Sequence, residues 1–155
     1  MTQRVDLGTL MDRLAIDEVV SGYAAAVDDG DWDAYRALFT PTGRADYSSA
    51  GGVEGPAGEV AEWLARTMLL FPVRQHLIVN RLIRLEDLGG SPGDSAEVRA
   101  DFLNPMRLAG EEFDGTLTSP NFVAAGRYAF VLARTSDGWR LTSVTVQEKW
   151  RHMSA

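Results

Sequence analysis

The hydrophobic pattern of the 155-residue chain changes its period near the middle, and this change constrains the fold more than any other feature. Before residue 75, apolar residues recur every three or four positions, as they do along one side of a helix. From residue 75 onward, they alternate with polar residues, as they do along strands that bury one face. Helices followed by strands predict an α+β domain in which helices cover one face of a sheet.

The first half predicts three helices. The first ends at Gly30, and Asp31 then caps a short second helix, WDAYRALF, because its carboxylate can accept hydrogen bonds from first-turn amides. GRADYSS is predicted to be a short strand, GGVEG a turn, and Ala57–Leu70 the third helix. The apolar positions that define the first helix are Leu7, Leu10, Met11, Leu14, Ile16, Val19, Val20, Tyr23 and Val27.

The second half predicts four strands, at Gln75–Leu85, Ala96–Leu108, Asn121–Thr135 and Trp139–Trp150. They are joined by EDLGGSPGDS, by the longer loop AGEEFDGTLTSP and by the tight turn SDG. Strands that follow one another through turns pair most simply as antiparallel neighbours. The sequence therefore predicts three N-terminal helices packed on a strongly curved, mainly antiparallel sheet.

Alternation along the strands assigns side chains to faces. In the second predicted strand, Phe102 and Asn104 end a core-facing row that begins at Ala96, so Asn104 is a polar residue on an apolar face. In the first predicted strand, His76 and Asn80 share a face with Ile78. His76, Asn80, Phe102 and Asn104 are therefore candidates to line a pocket.

The composition excludes several classes of function. A net charge of −7 with no basic field argues against nucleic-acid binding, and the absence of cysteine removes disulfides and thiolate chemistry. With two histidines far apart in sequence, no metal site is expected. No run of about 18 apolar residues is present and no signal peptide is evident, so we expect a cytoplasmic protein without a membrane segment. Residues 1–155 are expected to form a single domain.

Three segments carry a resemblance to a known family: YAAAVDDGDWDAYRALFTPTGRADYS, RQHLIVN and ARTSDGWRLTSVTVQEKW. From about Leu7 to Trp150 the chain resembles the SnoaL-like branch of the NTF2-like superfamily, which includes scytalone dehydratase and bile acid dehydratase. This resemblance implies a small cone-shaped α+β fold around a cavity, with no cofactor, and dimers or trimers.

The resemblance also implies site residues. Tyr23 and Asp28 match a tyrosine and an aspartate that line the cavity of the dehydratases, His76 matches a strand histidine, and Tyr47 matches a cavity tyrosine. Asn104 stands where one relative has an acidic residue. Glu148 replaces a late arginine, and Arg127 with Ala129 replaces a serine–asparagine pair.

Chemistry at these positions suits proton abstraction beside a carbonyl group. Imidazole has an ordinary pKa of about 6.5, so neutral His76 can act as a general base. The Asp28 carboxylate can accept the other ring N–H, and the hydroxyls of Tyr23 and Tyr47 can donate hydrogen bonds to the substrate oxygen. The predicted function is a dehydratase-like lyase or isomerase acting on a small apolar carbonyl compound, such as a steroid or a polyketide-derived ring, with Asn80, Phe102 and Asn104 also contacting the substrate.

Other interpretations remain open. His76 can be a structural strand residue, Asp28 a turn residue in the acidic run DDGDWD, and Tyr23 a core residue. The alternative function is a non-catalytic domain of the same fold that binds a small molecule or supports a partner, because one fold hosts many activities. A homo-oligomer, either dimer or trimer, is also expected, since a curved sheet covered on one face leaves the other face for a partner.

Overall fold

The structure, a computed structural model, describes residues 6–86, 89–110 and 113–154. These residues contain three helices, two 3₁₀ turns and seven strands. In chain order they are α1 (Leu7–Asp29), α2 (Trp32–Ala37), β1 (Phe39–Asp46), a 3₁₀ turn (Ser48–Ala50), β2 (Glu54–Pro56), α3 (Ala57–Thr67), a second 3₁₀ turn (Met68–Leu70), β3 (Val73–Arg74), β4 (Leu77–Glu86), β5 (Ser95–Arg107), β6 (Phe122–Thr135) and β7 (Gly138–Met153). Parts of two predicted connections, residues 87–88 of EDLGGSPGDS and 111–112 of AGEEFDGTLTSP, lie outside the described residues.

Local capping groups set the ends of the first two helices. The Asp6 carboxylate accepts a hydrogen bond from the Thr9 amide at 2.8 Å and begins α1. Gly30 ends α1 in the left-handed conformation, with φ 67°, as the sequence predicts. Asp31 accepts from the Ala34 amide at 3.0 Å and begins α2, which is also as predicted.

The described strands form one sheet in the order β2-β1-β7-β6-β5-β3, with β4 also pairing with β5. Neighbouring strands are antiparallel except β1 and β7, which are parallel. The helices pack against one face of this sheet, and the core lies between the two layers. The predicted α+β cone, with helices on a curved and mainly antiparallel sheet, is confirmed.

The region between the second and third helices differs from the prediction. WDAYRALF does not remain helical to its end, because Phe39 already belongs to β1 and pairs with Leu141 of β7. The predicted turn GGVEG contains the start of β2, which pairs with β1. Pairing between strands determines both the early end of the second helix and the start of β2, and the local hydrophobic pattern of the sequence does not reveal this pairing.

A bulge in β4 makes the predicted face of Asn80 wrong. The pairing with β5 shifts between Val79 and Leu82, and Asn80 adopts a positive φ of 52°. His76 and Ile78 face the core, whereas Asn80 is exposed and its amide donates to Asp101 at 3.3 Å on the other face. An extra residue in a strand moves every later side chain of that strand to the opposite face of the sheet.

The N-terminal half of α1 is helical, but its apolar stripe does not reach the core. Leu7, Leu10, Met11 and Leu14 are 49–71% exposed, and the buried positions of the helix begin at Ile16. None of the helices in the described ranges is long and apolar enough to cross a membrane.

A buried ion cluster ties this half of α1 to the sheet. The Arg134 guanidinium donates to both Asp12 carboxylate oxygens at 2.8 and 2.7 Å and to Asp94 at 3.0 Å. It also lies 4.7 Å from the centroid of the Trp139 ring, whose N–H donates to Asp12 at 3.2 Å. We call these four residues the Arg134 cluster; it joins α1, β6, β7 and the residue before β5.

Candidate active site

A cavity of about 300 Å³ lies between the helices and the sheet. Its walls are mostly apolar and come from α1, α3, the second 3₁₀ turn and strands β5–β7. A largely apolar hollow with a few converging polar groups is the usual form of a small-molecule site. The polar side chains that reach it are Tyr23, Tyr47, Thr67, His76, Asn104, Tyr128, Glu148 and Arg151.

His76 and Asp28 form a hydrogen-bonded pair at the edge of this cavity. The His76 Nδ1 atom lies 2.6 Å from an Asp28 carboxylate oxygen, and the His76 backbone N–H donates to the two carboxylate oxygens at 3.1 and 2.9 Å. The imidazole side chain is only 8% exposed, and that of Asp28 is 22% exposed. Three contacts to one carboxylate therefore fix both the position and the orientation of the ring.

Arg74 holds the two chain segments of this pair together. Its Nε donates to the Asp28 backbone carbonyl at 2.9 Å, and Nη1 donates to the Met68 carbonyl at 2.6 Å. A cation at the last turn of α1 satisfies a free carbonyl and complements the helix dipole. Since Arg74 is two residues before His76, it fixes the helix end that carries Asp28 against the strand that carries the imidazole.

The pairing selects one tautomer of His76. An ionised carboxylate only accepts hydrogen bonds, so Nδ1 carries the proton that Asp28 receives. In the neutral ring, Nε2 then has a free lone pair. Nε2 has no hydrogen-bond partner among the described residues, and His76 lines the cavity. The arrangement leaves a basic nitrogen available to a bound molecule.

All four tyrosines of the chain meet beside the cavity. The Tyr47 hydroxyl hydrogen-bonds the Tyr23 hydroxyl, and it lies 3.1 Å from the Tyr35 hydroxyl. Burial raises the pKa of Tyr23, Tyr35 and Tyr47 well above the ordinary value, and that of Tyr128 to about 12. The phenols therefore remain protonated at neutral pH and can act as hydrogen-bond donors.

Asn104 lies on the cavity face of β5 and is only 5% exposed. The polar side chain of Asn104 opposes the effect of burial on the pKa of the Tyr128 phenol. Its Oδ1 atom is buried and has no hydrogen-bond partner among the described residues. A buried acceptor without a partner is rare in native structures, so this atom marks a polar point in the cavity wall.

A bulge brings Glu148 and Arg151 to the same part of the cavity. The pairing of β6 with β7 shifts between Ala125 and Gly126, and a Cβ atom on Gly126 would lie 2.1 Å from the Gln147 carbonyl oxygen. The extra residue puts positions three apart on one face. The Arg151 guanidinium then donates to both Glu148 oxygens at 2.9 and 2.8 Å.

The comparison with protein families decides the classification. Residues 8–145 match the SnoaL-like domain. The chain belongs to the SnoaL-like family. Among the described residues of this SnoaL-like protein, no group of three or more histidine, aspartate or glutamate side chains is arranged to hold a metal ion.

Similar proteins span nearly the whole SnoaL-like chain. The uncharacterized protein Rv2910c of Mycobacterium tuberculosis (strain ATCC 25618 / H37Rv) is 30% identical over 141 residues, which cover 88% of this chain and 85% of that protein. Kfla4162 from Kribbella flavida has a TM-score of 0.76 at 24% identity, over 92% and 94% of the two chains. Hexachlorocyclohexane dehydrochlorinase LinA-type3 from Novosphingobium barchaimii LL02 has a TM-score of 0.75 at 18% identity, over 97% and 95%. The two structures show a shared fold.

The structure brings most of the predicted site residues of this SnoaL-like chain together. Tyr23, Tyr47, His76, Phe102 and Asn104 line the cavity, and Asp28 stands behind His76. Asn80 does not line it, and Arg127 pairs with Asp101 at 3.2 Å outside it. Sequence reasoning missed Tyr128, Trp63 and Arg151. Strand alternation could have indicated Tyr128, which shares the buried parity of Phe130 and Leu132.

Proposed function

We propose that this protein is a lyase or isomerase that needs no cofactor and removes a proton from the carbon beside a carbonyl group. The observation that carries the proposal is the His76–Asp28 pair, whose unpartnered Nε2 belongs to a residue lining an apolar cavity. The name of the dehydrochlorinase with the same fold describes an elimination, which supports chemistry of this class on such a scaffold.

The proposed reaction starts with His76. Its Nε2 takes the α-proton of the ketone, and Asp28 stabilises the imidazolium that forms. Electrons of the broken C–H bond move toward the carbonyl oxygen, which becomes an enolate and receives a hydrogen bond from Tyr23 or Tyr47. His76 then returns the proton either to a β-hydroxyl, which leaves as water, or to a more distant carbon, which shifts the double bond.

The surroundings of His76 support this proposal. A well-placed general base contributes about 10²–10⁴-fold in rate, and one oxyanion donor about 10²–10³-fold. Both effects are larger where water is excluded, and the imidazole and the phenols are almost fully buried. The cavity volume of about 300 Å³ is at the lower limit for ligand pockets, which favours a compact ring of the polyketide type over a steroid.

The test is a screen of β-hydroxy ketones and enones, including β-hydroxy-α-tetralone, whose dehydration yields fluorescent α-naphthol. We expect the wild type to form product and His76→Ala to lose turnover by about 10²-fold or more while its circular dichroism spectrum is unchanged. His152→Ala, which removes the chain's other, exposed histidine, is the matched control and should be fully active. Unchanged activity in His76→Ala would exclude the proposed base.

The non-catalytic alternative has a distinct outcome in the same screen. A mostly apolar cavity with a few polar side chains would serve a binding protein equally well. That function predicts that ketones bind, as observed by calorimetry, while their α-protons do not exchange with deuterated water at a rate above background.

We also propose that the protein is a homo-oligomer that associates through the uncovered face of the sheet. Exposed apolar side chains lie on that face: Leu77 lies opposite Leu103, and Val79 and Leu82, farther along β4, are 45% and 70% exposed. Light scattering should give a dimer or a trimer, and Leu82→Glu should shift it to the monomer because a charge would be buried. Thr142→Glu, on β7 away from this patch, is the control. A wild-type monomer at high concentration would contradict the proposal.

A further inference from the structure

The unpaired Oδ1 atom of Asn104 has a defined neighbour. The β3–β5 and β4–β5 registers pair Arg74 with Met106 and Leu77 with Leu103. His76 lies in the two-residue gap between β3 and β4, and the same register carried across this gap aligns it with Asn104. Directly opposed residues on one face of a sheet have Cβ atoms about 4.5–5.5 Å apart. Both side chains line the cavity, and the unused acceptor therefore lies beside the basic imidazole.

The tyrosine hydroxyls provide the opposite kind of group. Tyr35, Tyr47 and Tyr23 form a row of three hydroxyls with two hydrogen bonds between them. Three hydroxyl protons serve two bonds, so one proton remains at an end of the row. Tyr35 is fully buried and has only Tyr47 as a hydrogen-bond partner among the described residues, so a proton at that end would have no acceptor. The remaining donor therefore belongs at the Tyr23 end, which lines the cavity.

The Tyr23 end of the hydroxyl row thus offers a ligand a donor, and the Asn104 Oδ1 atom offers it an acceptor, at separate points of the cavity wall. We infer that Asn104 is the residue that selects the substrate, by accepting a hydrogen bond from a β-hydroxyl group while the tyrosine row binds the carbonyl oxygen. This inference rests on the proposed function and narrows its substrate class to β-hydroxy ketones over enones. An enone has no donor for Oδ1 and would leave that buried atom unpaired.

This placement also determines the geometry of the elimination. A hydroxyl that donates its proton to Asn104 keeps its lone pairs free, and the imidazolium of the neighbouring His76 can protonate them. The C–O bond then breaks with loss of water, the enolate electrons form the C=C bond, and His76 returns to its neutral state. Because one imidazole removes the α-proton and protonates the hydroxyl, both leave from the same side of the ring, which is a syn elimination.

The test compares the binding of two ketones that cannot react. They are an α-tetralone with two methyl groups on its α-carbon, which has no proton for His76 to remove, and the β-hydroxy derivative of that ketone. Calorimetry on the wild-type protein should give about ten- to hundredfold tighter binding for the hydroxy derivative, the range expected when a buried polar atom gains its partner. Asn104→Leu should remove this preference. Phe102→Leu, which changes the same wall of the cavity without a polar atom, should alter both affinities by the same factor.

The possible outcomes separate this inference from the proposed function. Equal binding of the two ketones by the wild type overturns the inference without need of a variant, and so does a preference that persists in Asn104→Leu. A crystal structure of the hydroxy complex with only water at Oδ1 also overturns it. Deuterium exchange at the α-carbon of unmodified α-tetralone, which has no hydroxyl, tests the base alone. Exchange without a hydroxyl preference refutes only the inference, whereas a preference without exchange refutes the enzymatic function.

Discussion

Asp28→Asn should lower the rate of α-proton removal by about 10³–10⁴-fold and leave the fold intact. Asp28 accepts three contacts from His76, two from the backbone N–H and one from Nδ1. An asparagine has one accepting oxygen and an NH₂ group. If its oxygen keeps the backbone N–H, its NH₂ faces Nδ1, which must then accept. The ring proton moves to Nε2, and the nitrogen that should act as the base no longer has a free lone pair.

The experiment measures both the rate and the tautomer. Deuterium exchange of α-tetralone gives the rate, and nitrogen chemical shifts of the imidazole identify the protonated atom. Asp29→Asn is the matched control, because it makes the same charge change at the next residue, which is exposed. The role of Asp28 as the partner of the base would be disproved by an Asp28→Asn protein that exchanges at the wild-type rate.

The sequence predicts the His76–Asp28 pair because local features determine where each of the two residues lies in its helix or strand. Gly30 ends α1, which puts Asp28 in the last turn, and His76 immediately precedes a strand with clear β character. The resemblance to the SnoaL-like family then indicates that the two side chains meet. Asn104 is predicted by alternation along β5, whose pairing with β6 is regular over the whole strand.

The remaining site residues depend on irregular pairing that alternation does not show. The bulge in β4 turns Asn80 outward, although it is four residues after His76 and on the same predicted face. The bulge at Gly126 puts Glu148 and Arg151 together at the cavity, although their spacing of three assigns them to opposite faces of a regular strand. The hydroxyl row that includes Tyr35 depends on the packing of α2 against α1 and β1, which is set by tertiary structure.

Arg134→Met should lower the free energy of unfolding by about 3–5 kcal/mol. Arg134 is 17% exposed and neutralises the Asp94 carboxylate, which is 1% exposed, as well as that of Asp12, which is 16% exposed. Replacement of Arg134 by methionine would remove the cation that both carboxylates contact. Arg127→Met is the matched control, since Arg127 lies on the same strand and its pair with Asp101 is about one-third exposed, where such pairs contribute about 0–1 kcal/mol.

The pKa of Asp12 determines how the difference in the free energy of unfolding between wild type and Arg134→Met depends on pH. Hydrogen bonding to Arg134 lowers the pKa of Asp12 below its ordinary value of 3.8. A carboxyl group whose pKa is lower in the folded state stabilises the protein fully above its unfolded pKa, and this contribution is lost as the pH falls through the folded value. Urea denaturation should therefore show the full difference between wild type and Arg134→Met at pH 7 and a smaller one below pH about 4. A difference that is independent of pH would contradict the assigned ion pair.

The same variant separates stability from chemistry. Asp12 and Asp28 lie on one helix, 16 residues apart in sequence, which corresponds to about 24 Å along its axis. The Arg134 cluster therefore anchors the end of α1 that is remote from the His76–Asp28 pair, while Arg74 holds the end that carries Asp28. Under conditions in which Arg134→Met remains folded, its rate of α-proton exchange should equal that of the wild type. A large loss of rate in the folded variant would show that the position of Asp28 depends on the whole helix and not on its last turn.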